Sequence, residues 1–192
     1  MSLAVNGRPV RYALTREECF VDTRTRHAMK FYMKTAVTKE GKLLSLHMRP
    51  ISNNGAYASH GHTIVMSAGG KFRLLYDFNS IKYEPKTVYT NLPTAGAMRA
   101  YGCPQVFFAL ESHIEDIARE MKIDPIEFRK QNLISVGKKD PHSDIVVRTF
   151  GLRECIEKGK QLIKWDEKLE KYKEQKGIKR RGLGMACFSY AS

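Results

Sequence analysis

The stretch Thr90-Asn-Leu-Pro-Thr-Ala-Gly-Ala-Met-Arg-Ala-Tyr-Gly-Cys-Pro-Gln105 leads from a predicted strand into the most regular predicted helix of the chain. Small residues from Gly96 to Gly102 keep bulk off the backbone, which would let a ligand approach main-chain N–H groups. Arg99 adds a charged guanidinium suited to oxyanions, and Tyr101 adds a flat ring. Pro104 suits the first helical position, so the loop ends at a helix N-terminus, where anions are favoured. These residue types predict an anionic cofactor site; the alternative is a tight turn whose arginine pairs with a surface acid.

The helix after this loop is predicted by apolar residues that recur at helical spacing. The apolar positions are Val106, Leu110, Ile114, Ile117 and Met121. Glu111, Glu115 and Arg119 are placed on the opposite face of this helix.

Two more helices are predicted downstream. Asp124 is a good N-cap and Pro125 suits a first turn, so a short helix is expected there. Residues 152–163 are predicted to be helical, and the charged stretch 166–176 is interpreted as a solvated continuation. Residues 135–148 hold few apolar anchors and are expected to form an extended surface loop.

Residues 6–49 are interpreted as β structure, and a hairpin is the clearest part of it. Apolar residues recur at period two over residues 28–38, residues 39–41 supply a turn, and residues 42–48 return as a second alternating strand. Ser52-Asn-Asn-Gly55 is expected to close this unit with turn formers.

Further strands are predicted at three places. Residues 8–14 alternate after the turn signal Asn6-Gly7, residues 81–90 are typical of a strand that Pro85 confines to an edge or bulge, and residues 182–190 resemble a buried strand. Residues 56–76 are mixed with helical character, which Gly69-Gly70 is expected to interrupt. The predicted fold class is α+β, with a mainly antiparallel sheet and packed helices.

The charge balance is unusual, with 33 lysine and arginine residues against 20 acidic residues and a net charge of +13. Such a balance can mark nucleic-acid binding, and a small basic RNA-binding domain is the alternative from another functional class. The densest cluster, Lys176-Gly-Ile-Lys-Arg-Arg181, has no interleaved aromatic residues. We therefore expect no nucleic acid, and interpret the cluster as a solvated linker or a contact with the anionic remainder of its own subunit.

The four cysteines, Cys19, Cys103, Cys155 and Cys187, lie far apart without a C-x-x-C pair. That spacing argues against zinc ribbons, iron–sulfur clusters and redox dithiols within this chain, and reduced thiols favour a cytoplasmic protein. No apolar stretch approaches the ~20 residues of a membrane span, so no membrane partner is expected. His60-Gly61-His62 lacks a third ligand at metal-binding spacing, so exposed histidines and no direct metal ligand are expected.

Several segments together resemble the molybdenum subunit of the xanthine dehydrogenase/aldehyde oxidase family. The loop at 90–105 is similar to that family's TNxP…GAFRGFGxPQ-like segment. Leu110-Glu111, Asp124-Pro125 and Arg129-Lys-Gln-Asn132-Leu133 are similar to the helices that follow it. Two further segments resemble strands that lie beside other cofactor loops of the family, namely Gly7-Arg-Pro-Val-Arg11 and Arg180-Arg-Gly-Leu-Gly-Met-Ala186. The resemblance implies that residues 4–192 form part of a molybdenum-cofactor-binding domain truncated at both ends.

The resemblance also implies a function. The cofactor-binding residues would be Gly96, Ala97, Met98, Arg99 and Ala100, which would contact a molybdenum–molybdopterin cofactor. Arg99 and Tyr101 would contact a small planar substrate, an N-heterocycle or an aldehyde that becomes hydroxylated. Iron–sulfur clusters and FAD would lie on partner subunits or domains. An aromatic acyl-coenzyme A reductase, similar to 4-hydroxybenzoyl-CoA reductase, is the alternative within the same family.

Departures from the family pattern limit these implications. Tyr101 and Met98 stand where phenylalanine is common, and Ala100 and Cys103 where glycine is typical. Purine-oxidising members of the family carry a substrate-contacting arginine in the helix upstream of this loop. This chain has no arginine between Arg49 and Arg73, so xanthine itself is not the expected substrate. The family's catalytic glutamate is expected outside this chain, so no catalytic residue is assigned within it and the 192 residues alone are expected to be inactive.

Overall fold

The computed structural model describes residues 1–140 and 142–190. A 3₁₀ turn at Ser2–Val5 precedes helices and strands in a mixed order. These elements are α1 (Arg16–Asp22), β1 (Met29–Val37), β2 (Leu43–Gly55), α2 (Gly61–Lys71), β3 (Ser80–Tyr83), β4 (Lys86–Tyr89), α3 (Cys103–Glu120), α4 (Pro125–Asn132), α5 (Leu152–Leu162) and α6 (Trp165–Lys171).

The predicted hairpin is confirmed as the antiparallel pair β1–β2. Burial alternates along β1, because its inner side chains pack against α3 while the others face outward. The turn predicted at residues 52–55 is wrong, since β2 continues to Gly55. Ser52 pairs with Met29, and the side chains of Ser52 and Asn54 are buried.

The strands β3 and β4 both pair with β2 in parallel, beside one another along its length. A parallel pairing needs a crossover, and the segment that contains α2 provides it. The α+β class is confirmed, with the antiparallel β1–β2 pair as its longest pairing. The single strand predicted at residues 81–90 is divided at Pro85, which has no N–H group for a ladder hydrogen bond.

Two local predictions in the first half of the chain are wrong. Residues 8–14 form no strand, and all of them but the half-buried Leu14 are exposed; α1 follows instead. A capping box starts α1, because the Thr15 side chain accepts from the Glu18 N–H while the Glu18 carboxylate accepts from the Thr15 N–H. Helix α2 passes through Gly69-Gly70 without interruption. A Cβ atom on Gly69 would lie 2.4 Å from the Tyr83 ring, so glycine allows close packing there.

The core lies between the inner face of the sheet and the helices α2, α3 and α4. Its members are large apolar residues, including Leu43, Leu46, Met48, Phe72, Leu75, Val106, Leu110, Ile114 and Phe128. The apolar stripe predicted for α3 is confirmed: three of its members are fully buried, and Ile117 and Met121 pack against the core. Helix α4 begins where predicted, and both Ile126 and Glu127 donate backbone N–H groups to Asp124 Oδ1.

Glu111, which the sequence places opposite the apolar stripe of α3, is nevertheless not exposed. Its side chain is buried and accepts hydrogen bonds from Arg129 Nε at 2.8 Å, from the Tyr76 hydroxyl at 2.6 Å and from the Cys187 backbone N–H at 2.8 Å. A buried carboxylate needs a counter-charge, and the Arg129 guanidinium provides it for Glu111. Separately, the buried Asn132 side chain at the end of α4 accepts from the Leu43 N–H and donates to Gly41 O, which joins α4 to the start of β2. The acidic and basic residues of α3 and α4 therefore hold the fold together.

The C-terminal third is only partly as predicted. Helix α5 is confirmed, and α6 covers the start of the charged continuation, where it buries no residue. Residues 135–140 and 142–148 form the expected loop, and Asp140 attaches it to Arg73 at 3.1 Å. The buried strand predicted at 182–190 is wrong, since that segment is irregular and Cys187 is its one buried residue.

None of the helices among the described residues combines the length and the apolar character that a membrane crossing requires.

Candidate functional site

The loop at residues 94–102, which we call the cofactor loop, lies between β4 and the start of α3. The segment just before β1 holds it from one side: Gly96 donates its N–H to Thr25 O at 3.0 Å. The Arg26 side chain donates to Arg99 O at 3.0 Å, and the Gln105 side chain donates to His27 O at 3.1 Å. The loop conformation is therefore fixed by residues some 70 to 80 positions away in the sequence.

Asn54 holds the loop from below. Its backbone oxygen accepts from the Ala95 N–H at 3.1 Å, and its side chain accepts from His27 Nε2 at 3.0 Å. The Asn54 amide also donates to the main-chain oxygens of Tyr57 and Ala58, in the turn before α2. One buried residue thus connects the cofactor loop, through its backbone, to the turn before α2, through its side chain.

The two glycines of the loop, Gly96 and Gly102, allow other parts of the protein to pack closely against the loop backbone. A Cβ atom on Gly96 would lie 2.2 Å from Arg24 Cδ. A Cβ atom on Gly102 would lie 2.8 Å from Ile64 O and 2.9 Å from Ala68 Cβ. At these positions the missing side chain allows close packing on Arg24 and on α2, which differs from the ligand access that the sequence suggested.

The end of the loop adopts an uncommon backbone conformation. Ala100, Tyr101 and Gly102 all have positive φ, of 65°, 40° and 94°. Short-range bonds close the turn, since Tyr101 N–H donates to Met98 O and Cys103 N–H to Ala100 O. A non-glycine residue in this region costs about 1–3 kcal/mol, and such residues cluster at ligand sites.

The middle of the loop presents free hydrogen-bond donors. Within the described residues, the backbone N–H groups of Ala97, Met98, Arg99 and Ala100 have no acceptor. The Arg99 side chain is exposed, and no carboxylate in residues 1–140 or 142–190 lies within ion-pair distance of it. A surface acid therefore does not neutralise Arg99 in this part of the structure. Consecutive N–H groups without a protein acceptor, beside an exposed guanidinium, are donors of the kind that bind an anion.

Tyr101 has a partner that the sequence did not reveal. Its hydroxyl lies 2.9 Å from His60 Nδ1, and the two rings meet edge to face with centroids 6.2 Å apart. The sequence pattern presented His60 only as a weak metal-ligand candidate, because its partner lies 41 positions away. No group of three metal-binding side chains occurs among the residues that the structure describes.

The two ends of the cofactor loop line two different hollows. Ala100 borders an apolar groove of about 380 Å³, whose other walls include Phe107, Phe108 and Phe188. Thr94 borders a second, more polar hollow of about 430 Å³. Burial raises the pKa of the Cys103 thiol at the start of α3, so this thiol stays protonated and adds no charge to the site.

The cofactor loop therefore combines unpaired main-chain donors, an exposed arginine and an aromatic ring, which are groups suited to a flat or anionic ligand. The chain belongs to the molybdopterin cofactor-binding domain family, whose model matches residues 1–133. The predicted resemblance to the xanthine dehydrogenase/aldehyde oxidase family is thereby confirmed.

Individual relatives agree with this assignment. The chain is 45% identical to the xanthine dehydrogenase molybdenum-binding subunit of Escherichia coli O157:H7 over 188 residues, 98% of this chain and 25% of that protein. It is 32% identical to the nicotinate dehydrogenase large molybdopterin subunit of Eubacterium barkeri, over 80% of this chain and 36% of that protein. The aldehyde oxidoreductase of Desulfovibrio gigas superposes with a TM-score of 0.76 at 26% identity, covering 89% of this chain and 18% of that structure. The chain thus spans about a quarter of the length of the xanthine dehydrogenase subunits.

Proposed function

We propose that this chain supplies the cofactor- and substrate-contacting loop of a molybdopterin-dependent oxidoreductase that hydroxylates N-heterocycles or aldehydes. The observation that carries the proposal is the run of free N–H groups from Ala97 to Ala100 beside the exposed guanidinium of Arg99. In this proposal residues 4–192 are part of a larger molybdenum-cofactor-binding domain. The remainder of the subunit, and partners that carry iron–sulfur clusters and FAD, complete the enzyme.

The donor set fits the proposed cofactor. Molybdopterin and the oxygen and sulfur ligands of molybdenum are rich in negative charge, which N–H donors and a guanidinium stabilise. Ala97, Met98, Arg99 and Ala100 would hold the group through main-chain N–H bonds. Gly96 already donates its N–H to Thr25 O, so its part would be to keep the loop close to the segment before β1. When bound, the cofactor supplies two-electron redox chemistry and oxygen transfer.

Arg99 and Tyr101 are the proposed substrate contacts. An aromatic ring offers a planar substrate a stacking surface, and a guanidinium beside it binds a developing negative charge on the substrate. The rigid, supported backbone would orient both groups before the substrate arrives, which lowers the cost of binding. The general base that the reaction needs is proposed to lie outside this chain.

The test uses the full-length protein that contains this chain. Wild-type protein should contain molybdenum and oxidise at least one substrate from a panel of N-heterocycles and aldehydes. Arg99→Ala should lower kcat/KM by about a hundredfold or more, the size expected when a charged group that stabilises a transition state is removed. The matched control is Arg148→Ala, which removes an exposed arginine from a loop far along the chain.

Two outcomes decide the proposal. Loss of activity or of molybdenum in Arg99→Ala, with Arg148→Ala unchanged, would support it. Unchanged molybdenum content and unchanged kcat/KM in Arg99→Ala would refute the assigned role of the cofactor loop.

A further inference from the structure

We infer that His60 is a positioning residue that determines substrate specificity, by holding the Tyr101 hydroxyl ready to bond the polar edge of a ring substrate. The inference rests on the proposed function, in which Tyr101 contacts the substrate. It narrows the substrate class to heterocycles whose ring edge carries a nitrogen or oxygen that can form a hydrogen bond, in preference to apolar aldehydes.

The first support is the geometry of the pair. The phenol oxygen lies 2.9 Å from His60 Nδ1, an ordinary hydrogen-bond distance, and the rings are perpendicular with centroids 6.2 Å apart. His60 occupies the N-cap position of α2, yet its side chain makes no capping bond to the helix. Its imidazole therefore bonds to Tyr101 and not to the N-terminus of α2.

The second support is that the scaffold brings both residues together. Ser59, just before His60, has φ of 39°, and Tyr101 itself has φ of 40°. Beneath them, Asn54 bonds to the turn before α2 and to the cofactor loop, and a Cβ on Gly61 would fall 1.6 Å from Asn54 Oδ1. Uncommon backbone conformations on both sides, supported by the hydrogen bonds of Asn54, therefore position His60 and Tyr101 beside each other.

The third support is the hydrogen-bonding capacity that remains on the phenol. A tyrosine hydroxyl has one donor and two acceptor positions, and His60 uses one of them. No other described residue bonds to this hydroxyl. If His60 Nδ1 carries no hydrogen, it accepts a hydrogen bond from the phenol O–H, and the phenol oxygen keeps lone pairs for a substrate N–H. If His60 Nδ1 is protonated, it donates to the phenol oxygen, and the phenol proton can bond a ring nitrogen or carbonyl. A phenylalanine at this position would offer neither option.

The selectivity follows from the cost of unpaired polar groups. A substrate that bonds the Tyr101 hydroxyl gains a hydrogen-bond partner, whereas an apolar substrate that covers this half-buried side chain leaves the hydroxyl with one bond fewer. His60 contributes by fixing the direction of that hydroxyl. Its removal should therefore affect polar-edged substrates far more than apolar ones.

The experiment compares Tyr101→Phe, His60→Ala and His60→Gln in the full-length, molybdenum-containing protein. The matched control is His62→Ala, two residues further on, where the imidazole bonds Thr87 and not the cofactor loop. The probes are 4-hydroxypyrimidine and nicotinate as polar-edged rings and benzaldehyde as the apolar substrate. Molybdenum content is measured for every variant, so that loss of the cofactor is not mistaken for altered specificity.

We expect Tyr101→Phe and His60→Ala to lower kcat/KM for the heterocycles by about tenfold, mainly through KM, while benzaldehyde changes by less than about twofold. His60→Gln, whose amide can still bond the phenol, should recover most of the loss. His62→Ala should match the wild type. As a readout independent of turnover, 3-fluorotyrosine placed at position 101 should change its fluorine NMR shift in His60→Ala and not in His62→Ala.

The outcomes separate this inference from the proposed function. Wild-type protein without molybdenum or without turnover of any probe would refute the proposed function and the inference that depends on it. A functional wild type in which His60→Ala leaves the fluorine shift unchanged, or changes all probes equally, would refute the role of His60 alone.

Discussion

Replacing Arg129 with methionine tests the buried ion cluster that joins α3, α4 and the C-terminal segment. The Arg129 side chain is 1% exposed. It donates to carboxylate oxygens of Glu111 and Glu115, both at 2.8 Å, and to the main-chain oxygens of Pro125 and Glu111, both at 3.1 Å. Arg129→Met fills much of the same volume but leaves the Glu111 carboxylate, 4% exposed, without its counter-charge.

Breaking one side of a buried ion pair costs about 3–5 kcal/mol, because the remaining charge is left in a poorly solvated place. Glu111 would keep the Tyr76 hydroxyl and the Cys187 N–H as donors. We therefore expect a loss near the lower end, about 3 kcal/mol in the free energy of unfolding. The double variant Glu111→Met with Arg129→Met removes both charges and should be more stable than the single variant by about 1 kcal/mol or more.

Urea unfolding followed by circular dichroism measures these differences. The control is Arg119→Met, since Arg119 also bonds Glu115, at 3.3 Å, but its side chain is 69% exposed. An exposed pair of this kind contributes at most about 0.5 kcal/mol. A loss below about 1 kcal/mol for Arg129→Met, or a double variant less stable than the single one, would refute the reasoning.

Three further predictions concern the scaffold. Gly102→Ala should lower the free energy of unfolding by about 2–3 kcal/mol, because φ is 94° and the added Cβ would lie 2.8 Å from Ile64 O. The control Gly177→Ala has a similar φ of 88° but open space around it, so it should lose only about 1 kcal/mol in the same urea titration. Asp124→Ala should cost about 1 kcal/mol by removing the cap of α4, whereas a melting temperature equal to that of the wild type would contradict the cap. Burial, followed by the nearby Glu111 carboxylate, raises the pKa of Cys187 from 9.0 to about 11. Because the pKa of this thiol is higher in the folded than in the unfolded protein, its contribution to stability is complete below pH 9.0 and is lost as the pH rises through about 11. The free energy of unfolding should therefore fall less steeply between these two pH values in Cys187→Ala than in the wild type.

Local patterns predicted the parts of the fold that depend on near neighbours. Period-two burial in β1 and the helical stripe from Val106 to Ile114 are set by which side chains share a face, and both were readable from the sequence. The loop at residues 94–102 was identifiable from its small residues and its arginine. The capping box of Thr15 and Glu18 was an available signal for α1, and it outweighs the alternation at residues 8–14, which has no strand to pair with.

Features that depend on distant partners could not be predicted in this way. The burial of Glu111 depends on Arg129 and Tyr76, which lie 18 and 35 positions away. The pairing of His60 with Tyr101 spans 41 positions, and each residue alone has an ordinary surface interpretation. The parallel placement of β3 and β4 follows from the crossover through α2, which strand patterns do not encode.

The same limit applies to the glycines of the cofactor loop. Small residues indicate close approach, but only the structure shows what approaches. At Gly96 the neighbour is Arg24, and at Gly102 it is α2. The donors left free lie between these glycines, from Ala97 to Ala100.

A crystal structure of the molybdenum-containing full-length protein tests the central claim most directly. We expect main-chain N–H groups between Ala97 and Ala100 to lie within about 3.2 Å of an oxygen or sulfur atom of the cofactor, with the Arg99 guanidinium facing the same pocket. A structure in which these N–H groups bond to the protein's own carbonyls, with Arg99 in an ion pair remote from the metal, would contradict it.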